Sequence, residues 1–213
     1  MKNILRFDSP VMVFLSHVAD LMILSLLWLI CSLPIITMGG ATTALYYASQ
    51  EKMLKTGGGV ISSFFKAFRR EFYQSTALLL IFGVSELILL FISYALWTAM
   101  IPAPQVVVLL SLVPPLVVLV AACYGFSMQA RFTNTVLQTW KNALLLAIGN
   151  PITSVALGAL AVIPIAVVLV KTELFLRYTP LWVTLGPGGV ALAQTFLMKK
   201  VFSILENRAN SAE

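Results

Sequence analysis

Charge is what this sequence has least of. Of 213 residues only 10% are Asp, Glu, Lys or Arg, while 60% are hydrophobic. A soluble domain carries about 25% charged residues, so this chain lacks the side chains to cover a water-facing surface of its size. The mean hydropathy of +0.95 agrees. A soluble enzyme, a disordered tail and a nucleic-acid module are thereby excluded. The net charge of +6 reads as the basic rim of a membrane protein, with the lipid bilayer as its solvent. Histidine occurs once and cysteine twice, too few for a protein metal cage. There is no HExxH, no GxSxG and no paired-carboxylate motif. No catalytic residue, metal or cofactor is therefore expected, and an enzyme is not. Cys31 and Cys123 both fall in apolar stretches, where a thiol is a small packing group.

The charges are also unevenly spaced. Between Asp20 and Glu51 lie 30 uncharged residues, between Glu86 and Arg131 44, between Lys141 and Lys171 29, and between Arg177 and Lys199 21. A helix needs roughly 20 apolar residues to cross a bilayer core. The longest gap holds almost two crossings and breaks at Ile101-Pro102-Ala103-Pro104, where proline cannot continue a helix. Five crossings are predicted, over 15–36, 75–99, 105–129, 152–170 and 179–198. The expected fold class is all-α: a polytopic membrane protein forming one integral domain over 1–213. Lys2 and Arg6 before an apolar stretch resemble a signal peptide, but the stretch is too long and is interrupted by His17 and Asp20. It is kept as a permanent helix.

Five crossings put the two ends on opposite sides. Ten basic residues then share a side: Lys52, Lys55, Lys66, Arg69, Arg70, Arg131, Lys141, Lys199, Lys200 and Arg208. Lys2, Arg6, Lys171 and Arg177 take the other. The positive-inside rule places the C-terminus in the cytoplasm and the N-terminus outside. Lys2 and Arg6 dissent. If residues 37–50 also crossed, the N-terminus would move inside; at 12 residues, Gly39 to Gln50 is short for that.

Two segments have helical amphipathicity at about 100° per residue. Residues 60–73 put Phe64, Phe65, Phe68 and Phe72 on one face and Lys66, Arg69 and Arg70 opposite. Residues 131–147 set Phe132, Val136 and Trp140 against Asn134, Gln138 and Lys141. Both are expected as helices in the headgroup plane, with packing on a partner protein as the alternative. Phe65-Lys66 and Trp140-Lys141 stand 75 residues apart. The chain then divides into 1–59 (first crossing, corner and linker), units 60–129 and 131–198 as a parallel two-fold repeat, and a tail over 199–213.

Few residues could carry chemistry. Glu86 lies in the middle of crossing 75–99, where a carboxylate costs about 2.5–3.5 kcal/mol to insert. It marks either an ion or ligand path or a carboxyl fastening two helices. His17 and Asp20, three apart, share a helix face and read as a hydrogen-bonded pair near water. Gly57-Gly58-Gly59 follows Lys55-Thr56, the wrong order for a phosphate loop, and reads as a linker. Gly186-Pro187-Gly188-Gly189, Pro114-Pro115 and Pro164 are expected to break or kink their helices, either building a midplane binding site from freed carbonyls or serving kinked packing and close helix approach at small residues such as Ala121 and Gly125.

The run from Cys31 to Tyr47, CSLPIITMGGATTALYY, resembles the signature of the YesL family, multi-spanning membrane proteins of Gram-positive bacteria with no assigned function. The stretch from Phe64-Phe65-Lys66-Ala67-Phe68 through Phe72-Tyr73-Gln74-Ser75, and Trp140-Lys141-Asn142-Ala143, resemble it too. Within that signature Pro34 is read as ending the first crossing, Gly39 and Gly40 as permitting a turn, Thr37 as capping the next helix, and Ala44 and Tyr46 as its first turns, with Tyr46 and Tyr47 at the membrane boundary. The resemblance implies a bacterial cell-membrane location and genes beside carbohydrate ABC importers and polysaccharide-degrading enzymes. It implies no catalytic residue. An accessory or regulatory component of a carbohydrate importer is expected; the alternative is a small transporter or channel working as a homo-oligomer with Glu86 in the path. The chain lacks an importer's E-A-A…G coupling loop and any nucleotide-binding loop.

Overall fold

A computed structural model describes residues 10–54, 59–98, 105–170 and 172–210. The charged residues Lys2, Arg6 and Lys171, the Gly57-Gly58 part of the linker and the break at 101–104 lie outside the described residues. Every regular element among those described is helical: α1 (Pro10–Ser32), α2 (Met38–Leu54), α3 (Val60–Thr98), α4 (Gln105–Leu110), α5 (Val113–Arg131), α6 (Val136–Gly149), α7 (Pro151–Val170) and α8 (Thr172–Asn210), with a single 3₁₀ turn at Ile35–Thr37. α1, α3, α5 and α8 are long and apolar enough to cross a membrane, and α6 with α7, bent by 106° at their junction, is a fifth candidate when the pair is counted as one broken span. The chain is thus all-α, with the composition of a multi-pass membrane protein.

Cross-helix contacts fix the relative directions. Gly39 lies against Ser75 and Leu79, Thr43 meets Ser75, and Tyr47 meets Arg70, so α2 and α3 run antiparallel. Glu71 meets Gln129, Gly125 meets Phe82 and Ser93 meets Ser111, so α3 and α5 are antiparallel too. Gln194 touches Cys123 and Phe202 packs on Phe132, which makes α8 parallel to α5. α1 folds back on α2: Thr37 bonds the carbonyl of Cys31, and one turn further out in both helices Trp28 Nε1 donates to Thr42 Oγ1 at 3.1 Å. α2, α5 and α8 therefore point one way, and α1 and α3 the other.

α2 differs from the sequence reading in its place rather than its existence. It forms a full 17-residue helix at the centre of the bundle, touching α1, α3, α5 and α8. All but Thr42 and Tyr47 of residues 39–50 are buried. Its length is short for a span and half its side chains are small or polar, because its surroundings are protein rather than lipid. Apolar helices from every side cover it.

The segment 60–73 is not a separate surface helix. It continues without a break into the apolar run as one 39-residue helix. Phe64 is fully buried, and Phe68 and Phe72 line Gly40; the aromatic face is used on α2, while Lys66 and Arg69 remain exposed. The second amphipathic segment does form its own helix, α6, begun by a capping box in which Thr135 and Gln138 satisfy each other's backbone N–H groups. Its inward face, Thr139, Ala143 and Ala147, is buried, while Leu145 and Ile148 are exposed.

The expected proline breaks resolve differently from one another. Pro114 and Pro115 sit in the first turn of α5, where a missing N–H costs nothing, so the third crossing divides into α4 and α5. Pro180 and Pro187 lie inside α8, which runs through them. Beside Pro187, Gly188 N–H donates to Ser25 Oγ at 2.9 Å. α7 likewise continues past position 164.

The helix boundaries repeat at the 75-residue offset seen at Phe65 and Trp140. Shifted by 75, Met38–Leu54 falls on 113–129 and Val60–Thr98 on 135–173, matching α5 and the α6–α7 pair; α5 falls within α8. The repeating unit thus starts one helix earlier than the amphipathic segments suggest.

Candidate functional site: a polar seam around the central helix

A buried helix with polar side chains seeks partners for them inside the protein, and Thr43, Tyr46 and Gln50 of α2 find them on three neighbouring helices, while the buried Ser49 Oγ has no hydrogen-bond partner. Thr43, fully buried, accepts from Ser75 Oγ on α3 at 2.8 Å. One turn on, Tyr46 OH donates to Gln194 Oε1 on α8, and Gln194 Nε2 donates to Cys123 Sγ on α5 at 3.7 Å. A further turn on, Gln50 Nε2 reaches Ser127 of α5, at 3.0 Å to Oγ and 3.1 Å to the carbonyl. Positions 43, 46 and 50 are spaced by three and four, a single face of the helix.

A second group lies nearer the basic end. The buried Glu71 carboxylate accepts from Arg70 Nε at 2.6 Å and from Gln129 Nε2 at 2.7 Å. Gln129 also donates to Gln74 Oε1 at 2.5 Å and accepts from Thr139 of α6 at 3.3 Å. Arg70, half exposed, lies 5.0 Å above the ring of Tyr47, whose hydroxyl donates to Glu51 at 2.8 Å. A continuous chain of contacts thus leads from exposed Arg70 through Glu71 and Gln129 to Thr139, joining α2, α3, α5 and α6. Arg131 closes the same end, its guanidinium over the rings of Phe132 and Phe202 at 6.0 and 5.7 Å.

Glu86 stands apart from both groups. It is half-buried on α3, and one of its carboxylate oxygens is buried without a hydrogen-bond partner. His17 is exposed and Asp20 half-buried on α1, and both make interactions. Lys66, Arg69 and Lys141 are exposed. No group of three metal-ligating side chains occurs among the described residues, and both cysteines are free.

The signature residues take other roles than their sequence reading assigned. α1 ends at Ser32 and Pro34 precedes the 3₁₀ turn. Thr37 does not cap α2 by accepting from its N–H groups; its hydroxyl donates to the carbonyls of Cys31 and Pro34 at 2.5 and 2.8 Å and closes the corner. Gly39 and Gly40 are not turn residues but helical ones. A Cβ at Gly39 would collide with the Ser75 carbonyl oxygen, so glycine is required for contact between α2 and α3. Ala44 is fully buried and Tyr46 4% exposed, so Tyr46 is a core group rather than a boundary tyrosine. Gln50, Glu71, Gln129 and Gln194 escaped notice in the sequence. For the three glutamines the available signal was uncharged polar residues at helical spacing within weakly apolar stretches.

A family model described as "Protein of unknown function, DUF624" matches residues 21–94, the stretch from mid-α1 through the corner and α2 to the far part of α3. No curated protein and no solved structure matches the chain.

Proposed function

We propose that this chain is a YesL-type protein of the bacterial cell membrane that acts as an accessory or regulatory component beside a carbohydrate ABC importer. The observation that carries the reading is the polar seam of α2. Where a transporter of this size would need free polar groups along a path, Thr43, Tyr46 and Gln50 of α2 are spent on Ser75, Gln194 and Ser127. The buried hydroxyls of α2, α5 and α8 left without a hydrogen-bond partner, those of Ser49, Tyr124 and Thr195, are scattered over the three helices. The signature over 31–47, inside the stretch the family model matches, supports the family, and the exposed Lys66, Arg69 and Tyr73 on the basic end offer a face for an importer subunit. In this reading the basic end lies in the cytoplasm. The count of legs bears on the N-terminus: five crossings put it outside, whereas we read α2 as a further leg, which puts the start of α1 at the basic end. Lys2 and Arg6 then join the other cytoplasmic basic residues, and 12 of the 14 obey the positive-inside rule.

A tagged copy purified in mild detergent from sugar-induced cells should bring down importer subunits. Recovery of the tagged chain alone overturns the reading. A second reading, a homo-oligomeric transporter or channel, has Glu86 and its unpartnered carboxylate oxygen in its favour. It requires proteoliposomes to pass a sugar or ion and Glu86→Gln to abolish that flux.

A further inference from the structure

α5, α6 and α7 enclose a groove of about 460 Å³, lined by Leu116 and Val120 of α5, Ala147 of α6, and Val155, Gly158 and Val162 of α7. The repeat explains why it exists. In the first hairpin Gly39 and Gly40 bring α2 into contact with α3 at Ser75 and Phe72. The positions 75 residues later are Pro114 and Pro115 for the glycines, and Asn150 and Ala147 for Ser75 and Phe72, with Pro151 directly after Asn150. Proline rings hold neighbouring backbone away and cannot continue the helix ladder. The second hairpin therefore bends by 106° at Asn150, and α7 diverges from α5 where α3 stays close to α2.

The space left cannot hold ordered water. A buried water needs two to four polar partners, and the one polar side chain lining the groove, Ser154, is committed to the carbonyl of Ala147 at 2.7 Å. The mouth opens among lipid-facing groups, with Ile152 88% and Val155 73% exposed. Val120 lies eleven residues before Arg131, about 16 Å along the helix, which is the middle of a bilayer core of about 30 Å. We propose that this groove holds the distal half of one acyl chain of a membrane phospholipid, which takes the place in the second hairpin that direct helix contact fills in the first. The proposal rests on membrane embedding and is independent of the importer association.

The test is photolabelling of the full chain in vesicles containing a phospholipid with a diazirine in the distal half of one chain. Adducts should concentrate on peptides covering 116–120 and 151–162, several-fold above those on the lipid-facing stretch Leu87–Phe91 of α3. Ala159→Phe, at the groove wall, should lower the groove adducts several-fold and leave the α3 adducts unchanged. Val155→Phe serves the same purpose should the first variant not yield monodisperse protein. Equal labelling of all lipid-facing helices, or indifference to either variant, would overturn the proposal.

Discussion

Tyr46 and Gly39 show how much of this fold is set by single side chains. Tyr46→Phe removes one oxygen, but it leaves Gln194 Oε1 buried without its donor. Orphaning a buried acceptor costs about 1–3 kcal/mol, so the variant should melt at lower temperature in detergent with an unchanged helical circular dichroism spectrum. Gly39→Val tests a different force. Its added carbons meet the Ser75 carbonyl, backbone that cannot step aside, and overpacking of this kind costs about 1–3 kcal/mol or more. Gly59→Ala, which meets nothing within 4 Å, should leave the melting temperature within the noise. A larger loss at Gly59 than at Gly39 would refute the close-contact account of the signature glycine.

At the scale of elements, Gln129 holds α5 to α3 and α6 together. Gln129→Leu strands the Glu71 carboxylate without one of its donors, and hydrogen bonds to charged groups are worth about 1.5–3 kcal/mol. Replacing both partners by apolar groups is far less costly than replacing one. The double variant Glu71→Leu/Gln129→Leu should therefore be more stable than Gln129→Leu alone, as a melting series would record; strict additivity would show that the two side chains do not act as a unit. These same elements explain what sequence reading can and cannot see. α1, α3, α5 and α8 face lipid and carry long apolar runs, so their existence is legible from charge gaps. α2 faces protein, has no such run, and escapes the same scan despite being the most enclosed helix. The Phe64–Phe72 stripe was legible as a stripe, but periodicity does not say whether lipid or another helix meets it. Glu71 was likewise hidden, since a carboxylate flanked by Arg69 and Arg70 looks like part of a solvated face; only its partners on α5 distinguish it. Pro187 signalled a break because its lost N–H was visible in sequence, whereas Ser25 on the neighbouring α1 was not.

For the whole molecule, the question is the number of legs between the ends. With α2 counted, the start of α1 and the end of α8 lie on the same side. Green fluorescent protein fused to either end should then fluoresce and alkaline phosphatase fused to either end should stay inactive. Phosphatase activity from the N-terminal fusion would restore the five-crossing arrangement. Helix boundaries that recur at a 75-residue offset accompany this alternation of direction along the chain.

The enclosure of α2 also bears on how the molecule is made. Insertion favours segments that prefer hydrocarbon to water, and one carrying Thr42, Thr43, Ser49, Gln50 and Glu51 gains little from entering lipid alone. During synthesis α1 emerges first and α2 next, yet the Ser75, Ser127 and Gln194 groups that satisfy α2 emerge later. In the proposed topology α2 therefore has to be admitted to the membrane by helices still to be translated, and the biogenesis of the N-terminal hairpin is complete only when the last leg arrives.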